Sequence, residues 1–176
     1  MPIYEPVAVK QQGNVKVTFV TSIASPAAPS LASEITAASS VEGTMAVYGQ
    51  WAPAVNVNTG NSPARIGTTV QLPEEGNAQR QPIALAYSHD PSKDDTDPNN
   101  KLKALLVEGT VLYAVVRRGL DAETDFAVAD RVEVWQVRCG YQNDDGATGT
   151  DEFSEFQVTQ NLIPLTTEPT IGAVAA

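Results

Sequence analysis

The sequence predicts a mainly β domain, a β-sandwich or barrel with one α-helix packed against it. Two observations carry this. Short stretches that alternate apolar and polar residues recur between Val15 and Ile163, separated by Gly, Pro, Asn and Asp. Only one segment, about 98–108, combines a helical period with clear start and stop signals, and it lies between two of those stretches. At 176 residues the chain is one domain, or one domain with arms, and can bury a substantial core without disulfides.

Residues 1–14 carry two prolines and no sustained period, so an extended N-terminal arm is expected. The β domain then spans 15–163. Val15, Val17 and Phe19 alternate with Lys16 and Thr18, the mark of a half-buried strand. Pro26 and Pro29 end it and disfavour helix just before each of them. Ser30 is placed to N-cap a short helix whose Leu31 and Ile35 share a face, while Glu34 sits one position too late for a capping box. A strand-like stretch follows around Met45, Val47 and Trp51. Residues 56–80 are polar, with three glycines and two prolines, so a long loop is expected there, holding at most a short strand near 67–72.

Ile83–Tyr87 is the next strand. Residues 89–100 are acidic and turn-rich. Asp97 is placed to N-cap the helix with Pro98 at its first position, Leu102, Leu105 and Leu106 fall on one face, and Gly109 ends it. Strands at 110–118, 130–139 and 153–163 complete the domain. In the second, Val132, Val134 and Val137 alternate with polar residues, although Trp135 breaks the period. Asn143-Asp144-Asp145-Gly146, with Gly149, reads as the loose tip of a hairpin spanning 130–163. Residues 164–176 are expected to form a C-terminal arm. The total is roughly six to eight strands.

Composition opposes several function classes. Twenty-one acidic residues face 11 basic ones, a net charge of −10, which disfavours tight binding to phosphate backbones. One cysteine, Cys139, allows no intramolecular disulfide framework and points to synthesis in a reducing compartment. One histidine, His89, allows no multi-histidine metal site. The sequence has no Gly-x-Ser-x-Gly elbow and no phosphate-binding glycine loop. His89 reads as a surface histidine at a loop start, and Cys139 as a small buried apolar group. The run from Asp90 to Asp97 offers carboxylates to a cation but lacks EF-hand spacing, so a solvated loop with a helix cap is preferred. Asp144, Asp145, Asp151 and Glu152 read as a hairpin tip by the same argument. A carboxylate pair for glycoside hydrolysis stays open, with Asp94, Asp95 and Asp144 as its candidates. Arg65, Arg80, Arg117 and Arg118 are scattered and read as ion-pair partners, and Trp51 and Trp135 as core or interface anchors. No residue is singled out as catalytic, cofactor-binding or metal-binding. Met1–Glu5 carries no signal-peptide pattern, and no apolar run is long enough to span a bilayer.

The strand Val15–Val20 followed by Ser25-Pro26-Ala27-Ala28-Pro29-Ser30-Leu31-Ala32-Ser33-Glu34-Ile35 resembles the N-terminal region of major tail proteins of long-tailed bacteriophages, closest in look to those of actinobacterial phages. The motif covers about a tenth of the chain. The long polar segment, the single helix before the last strands, the acidic hairpin and the Thr/Glu/Ala-rich end agree with it in character. The resemblance implies a structural virion protein without enzymatic activity or cofactor. It implies hexameric rings that stack into the tail tube, with tape-measure, terminator and distal tail proteins as partners and DNA passing through without specific binding. The alternatives are another virion β-protein, such as a decoration or terminator subunit, and a carbohydrate-binding β-sandwich.

Overall fold

A computed structural model describes residues 13–48, 51, 53–61, 73–148 and 155–176. Alternation of side chains about Val17 and Phe19 builds β1 (Val15–Val20), and two short strands follow, β2 (Val41–Glu42) and β3 (Val47–Tyr48). Next come β4 (Val55–Asn61), β5 (Pro73–Arg80) and β6 (Ile83–Ser88), then one helical turn, α1 (Lys101–Leu105). The valine-rich β7 (Val111–Arg118), the long β8 (Arg131–Thr148), β9 (Glu155–Pro164) and β10 (Thr170–Ala173) complete the chain.

Eight strands form one antiparallel sheet in the order β2-β1-β7-β8-β9-β6-β3, with β10 added along β8. The sheet curls into a half-barrel. The reason lies in residues 43–46, which alone separate the strand at one end of the sheet from the strand at the other. This connector is stitched to both sides. The Gly43 amide donates to Val17 O at 2.9 Å, Thr44 Oγ1 accepts from Val17 N at 3.1 Å, and Ser88 N donates to Ala46 O at 2.9 Å. A Cβ on Gly43 would stand 2.7 Å from Cε2 of the buried Phe19, so only glycine lets the connector lie this close.

The concave side holds one core. Val17 and Phe19 of β1, Leu112 and Ala114 of β7, Trp135 and Val137 of β8, Val158 and Leu162 of β9, and Leu85 and Tyr87 of β6 pack there, plugged by Leu102 and Leu106 of the α1 region. A second, smaller cluster covers the convex side, where Val20, Val115, Val132 and Val134 meet Ile23, Ile35, Phe126 and Val174. β1 and β7 are therefore buried on both faces. In β8 the alternation is unbroken. Val132 and Val134 point to the convex cluster, Trp135, Val137 and Cys139 to the concave one, and burial changes face at Trp135. The apparent break in period is this exchange of core.

The segment 31–35 is helical, but as a single π-helical turn, with Ile35 N donating to Ser30 O and Thr36 N to Leu31 O. Its wider turn lets Glu34 reach back: Oε2 accepts from Ser30 N at 2.8 Å, while Ser30 Oγ accepts from Ser33 N at 3.4 Å. A capping box therefore closes at the fourth residue instead of the third. The preceding prolines also have a role. Ala27 O accepts from Ala173 N, Pro29 O accepts from Ala175 N, and Leu31 N donates to Ala175 O. Residues 27–31 thus close the outer edge of β10, and prolines suit that edge because they need no backbone donor.

Other expectations meet different structure. The range 56–80, read as loop, holds most of β4 and all of β5, a ribbon whose side-chain pattern is too polar to announce a strand. The short strand near 67–72 lies outside the described residues, as do Arg65 and residues 1–12. The helix is shorter than 98–108: its N-cap is Asn100, and Asp97 instead accepts from Asn99 N. Asn143–Gly146 belongs to β8, with one register irregularity within it and another between Cys139 and Gln142, and the tip at 149–154 is outside the described residues. At 170–173 the expected arm is a strand paired with β8.

Candidate functional site

The acidic loop is organised by one amide. Asn100 is buried, and its Nδ2 donates to the carbonyls of Asp90, Lys93 and Asp94 at 2.9–3.1 Å, two protons shared among three acceptors. Its Oδ1 accepts from Asp90 N and from His89 Nδ1, each at 2.9 Å. The carbonyls that a cation would want converge on this amide instead. Ser92 and Thr96 donate to Asp90 and Asp94 through hydroxyl and backbone amide alike, and hold both carboxyls below the usual aspartate range. With Asn100 Oδ1 an acceptor, His89 carries its proton on Nδ1, and Nε2 faces Lys103 Nζ at 3.2 Å. Lys103 also pairs with Asp144 at 3.0 Å. Of the three candidate carboxylates, Asp94 is engaged by Thr96, Asp144 by Lys103, and Asp95 is exposed.

Cys139 is buried in the concave core, and burial pushes its thiol up to about 11. Beside it lies a polar network that the sequence reading missed. Gln160 Nε2 donates to Leu106 O at 2.7 Å and Gly140 O at 2.8 Å, and Gln142 Nε2 donates to Lys103 O and Leu106 O. Two glutamines from β8 and β9 thereby satisfy the last carbonyls of the helical turn. Tyr87 OH donates to Gln160 Oε1, and burial raises its phenol well above the ordinary range. A shallow groove of about 450 Å³ on the convex side of β6 and β9 lies between Tyr48 and Tyr141 over Ala84 and Ala86. Its lining includes no carboxylate, amine or thiol. No group of three or more His, Cys, Asp or Glu able to hold a metal ion occurs among the described residues.

Two arginines stand where the β4–β5 ribbon meets the barrel. The ribbon is a two-stranded sheet of its own, paired from Val55–Arg80 to Asn61–Pro73. Arg80, the last residue of β5, donates to Thr167 O and, at 3.4 Å, to Pro53 O. It pairs with Glu168 Oε1 at 2.8 Å and lies over the Trp135 ring at 5.1 Å from its centroid. Arg118, at the end of β7, donates to Trp51 O at 3.0 Å and pairs with Glu133 at 3.1 Å. Glu133 also accepts from Trp135 Nε1. Two arginines thus bracket two buried tryptophans, and the reading of these residues as ion-pair partners and core anchors agrees with the structure. Thr167 and Glu168 sit in the excursion 165–169, where β9 gives way to β10 along the same side of β8.

The described residues thus form a mainly β fold with a curled main sheet and a separate two-stranded ribbon. A family model described as phage tail tube protein matches residues 1–171. The chain belongs to that family. No curated protein sequence matches it. As a tail tube protein it is a structural component of the virion tail, made to assemble with other tail proteins as a multimer. For the tail tube protein the informative surfaces are therefore strand edges and projecting elements. No helix among the described residues is long and apolar enough to cross a membrane.

Proposed function

We propose that this tail tube protein self-assembles into hexameric rings that stack into the tube of a long-tailed phage, the conduit through which the genome reaches the host. The observation that carries the proposal is the family match across residues 1–171. The ribbon supports it, because a two-stranded sheet projecting from a barrel offers backbone edges to a neighbouring copy. Head-to-tail contacts, in which one surface of a copy meets a different surface of the next, generate rings, and the rings stack into tubes. The N-terminal arm, residues 1–14, and the range 164–176 supply further contacts between rings. The net charge of −10 supports a net negative lumen, along which DNA slides without specific binding. Tape-measure, terminator and distal tail proteins are the partners, and the subunit is made in the host cytoplasm. No catalytic step is assigned.

Electron microscopy of the purified protein tests the assembly. Rings and tubes of uniform diameter are expected as concentration rises, and a chain that stays monomeric at every concentration overturns the proposal. A basic lumen in such tubes would overturn the sliding argument alone.

A further inference from the structure

The β4–β5 ribbon stands on two feet rooted in the core. One rises after Trp51, 4% exposed, and the other returns to Ile83, 3% exposed. Pro53 and Pro82 lie in these feet and have no backbone donor, so the ladder cannot run on from ribbon to barrel. A free two-stranded ribbon is marginal in water, and its direction is set by what holds its base. At that base one main-chain bond, Gln81 N to Ala54 O at 3.0 Å, ties foot to foot. Four further ties converge on Arg80. Its fork reaches Pro53 O on the opposite foot, Thr167 O and Glu168 on the excursion after β9, and its plane covers Trp135 in the barrel. Only a planar, multiply donating cation can serve four such partners at once. The opposite foot is held independently, by Arg118 on Trp51 O.

We infer that Arg80 is a positioning residue that fixes the direction in which the β4–β5 ribbon leaves the barrel, and that it thereby controls the docking of one copy of this chain on the next. The identity of the partner rests on the tube-forming proposal, whereas the control of ribbon direction does not. Arg80 holds the ribbon in one pose, so that docking does not have to order it first.

Nitroxide labels at Val57→Cys on β4 and Ala104→Cys on α1 report the ribbon's pose by pulsed electron resonance, because the buried Cys139 stays unlabelled. The otherwise native protein is expected to give one narrow distance distribution. Arg80→Met keeps an apolar stem on Trp135 but removes every donor, and is expected to broaden that distribution while the melting temperature falls by only about 2–4 °C. The same variant is expected to raise the concentration needed for tubes by at least about tenfold. Arg80→Lys restores the charge without the fork and is expected to rescue neither readout. A native-like distribution in Arg80→Met, or tubes at the native concentration, overturns the inference. If Arg80→Met does not fold, Glu168→Gln decides: its carboxylate is 76% exposed, and its loss must broaden the distribution, a native width overturning the inference. If the native chain forms no tubes, the tube proposal fails, and the distance distributions still decide the role of Arg80.

Discussion

Arg117 is 1% exposed on the convex side of β7, yet it is a charge and not an apolar residue. Its presence is explained by the loop between β7 and β8. The guanidinium donates to the carbonyls of Asp121, Thr124 and Asp125 at 2.7–2.9 Å, pairs with Asp130 Oδ2 at 2.9 Å, and lies over the Phe126 ring. One side chain therefore replaces the secondary structure that this loop lacks. Burial by itself would raise the Asp130 carboxyl, but the Ala127 amide and the Arg117 guanidinium outweigh it and hold the carboxyl below the usual range. The sign follows from this lowering. Asp130 contributes stability at pH values above its unfolded value, and that contribution is lost as pH falls below about 3.9 towards the folded value. Asp130→Asn leaves the buried Arg117 without its counter-charge and is expected to cost about 3 kcal/mol near neutral pH. Urea unfolding at a series of pH values checks both parts. The native protein should lose more stability than the variant between pH 5 and 2, and equal slopes would sink the assignment.

At the scale of elements, β8 is the strand on which the others are assembled. It accepts β7 along residues 132–138, β9 along 137–148 and β10 along 131–134, so β9 and β10 follow one another on the same side of it. The strand β10 is then enclosed by residues 27–31, and the closeness is set by Gly172. A Cβ there would stand 2.5 Å from Ala27 O and 2.9 Å from Pro26 O, both backbone atoms that cannot swing aside. Gly172→Ala is expected to prise this clasp open and to destabilise the fold by about 1–3 kcal/mol. Amide exchange is the check. The amides of Ala173 and Ala175, which donate to Ala27 O and Pro29 O, should exchange faster, while those of β7 keep their protection. Val174, 2% exposed in the convex cluster, explains why the segment is held at all.

The whole molecule is shaped by the curl of its sheet and carries a net charge of −10 into every contact it makes. Residues 43–46 join the two end strands of the main sheet, and the β4–β5 ribbon is a two-stranded sheet of its own. Identical acidic subunits repel one another when they assemble, and salt weakens that repulsion over a Debye length of about 10 Å at 0.1 M. Tube assembly is therefore expected to begin at lower protein concentration as sodium chloride rises from about 20 to 200 mM. Sedimentation across that range is the measurement. Weaker assembly with added salt would mean that attraction between unlike charges, such as ion pairs across subunits, dominates the contact.

Local patterning alone determined the β class, strands at 15–20, 83–87, 110–118, 130–139 and 153–163 that match β1, β6, β7, the first part of β8 and β9 to within a few residues, and the buried Cys139. These are legible because period, turn residues and residue inventory are properties of neighbours in the chain. The resemblance carried by the Pro-Ala-Ala-Pro segment pointed to the tail tube family from the chain alone. Tertiary structure decided the rest. The exchange of cores along β8, the strand at Thr170–Ala173 and the place of the Pro-Ala-Ala-Pro segment beside it depend on how distant stretches of the chain meet. The β4–β5 ribbon was hidden because the sequence of its strands is too polar for a period to reveal. Arg80, Arg118, Trp51 and Trp135 looked scattered because only the folded sheet brings their charges and rings together, and no spacing in the chain encodes that meeting.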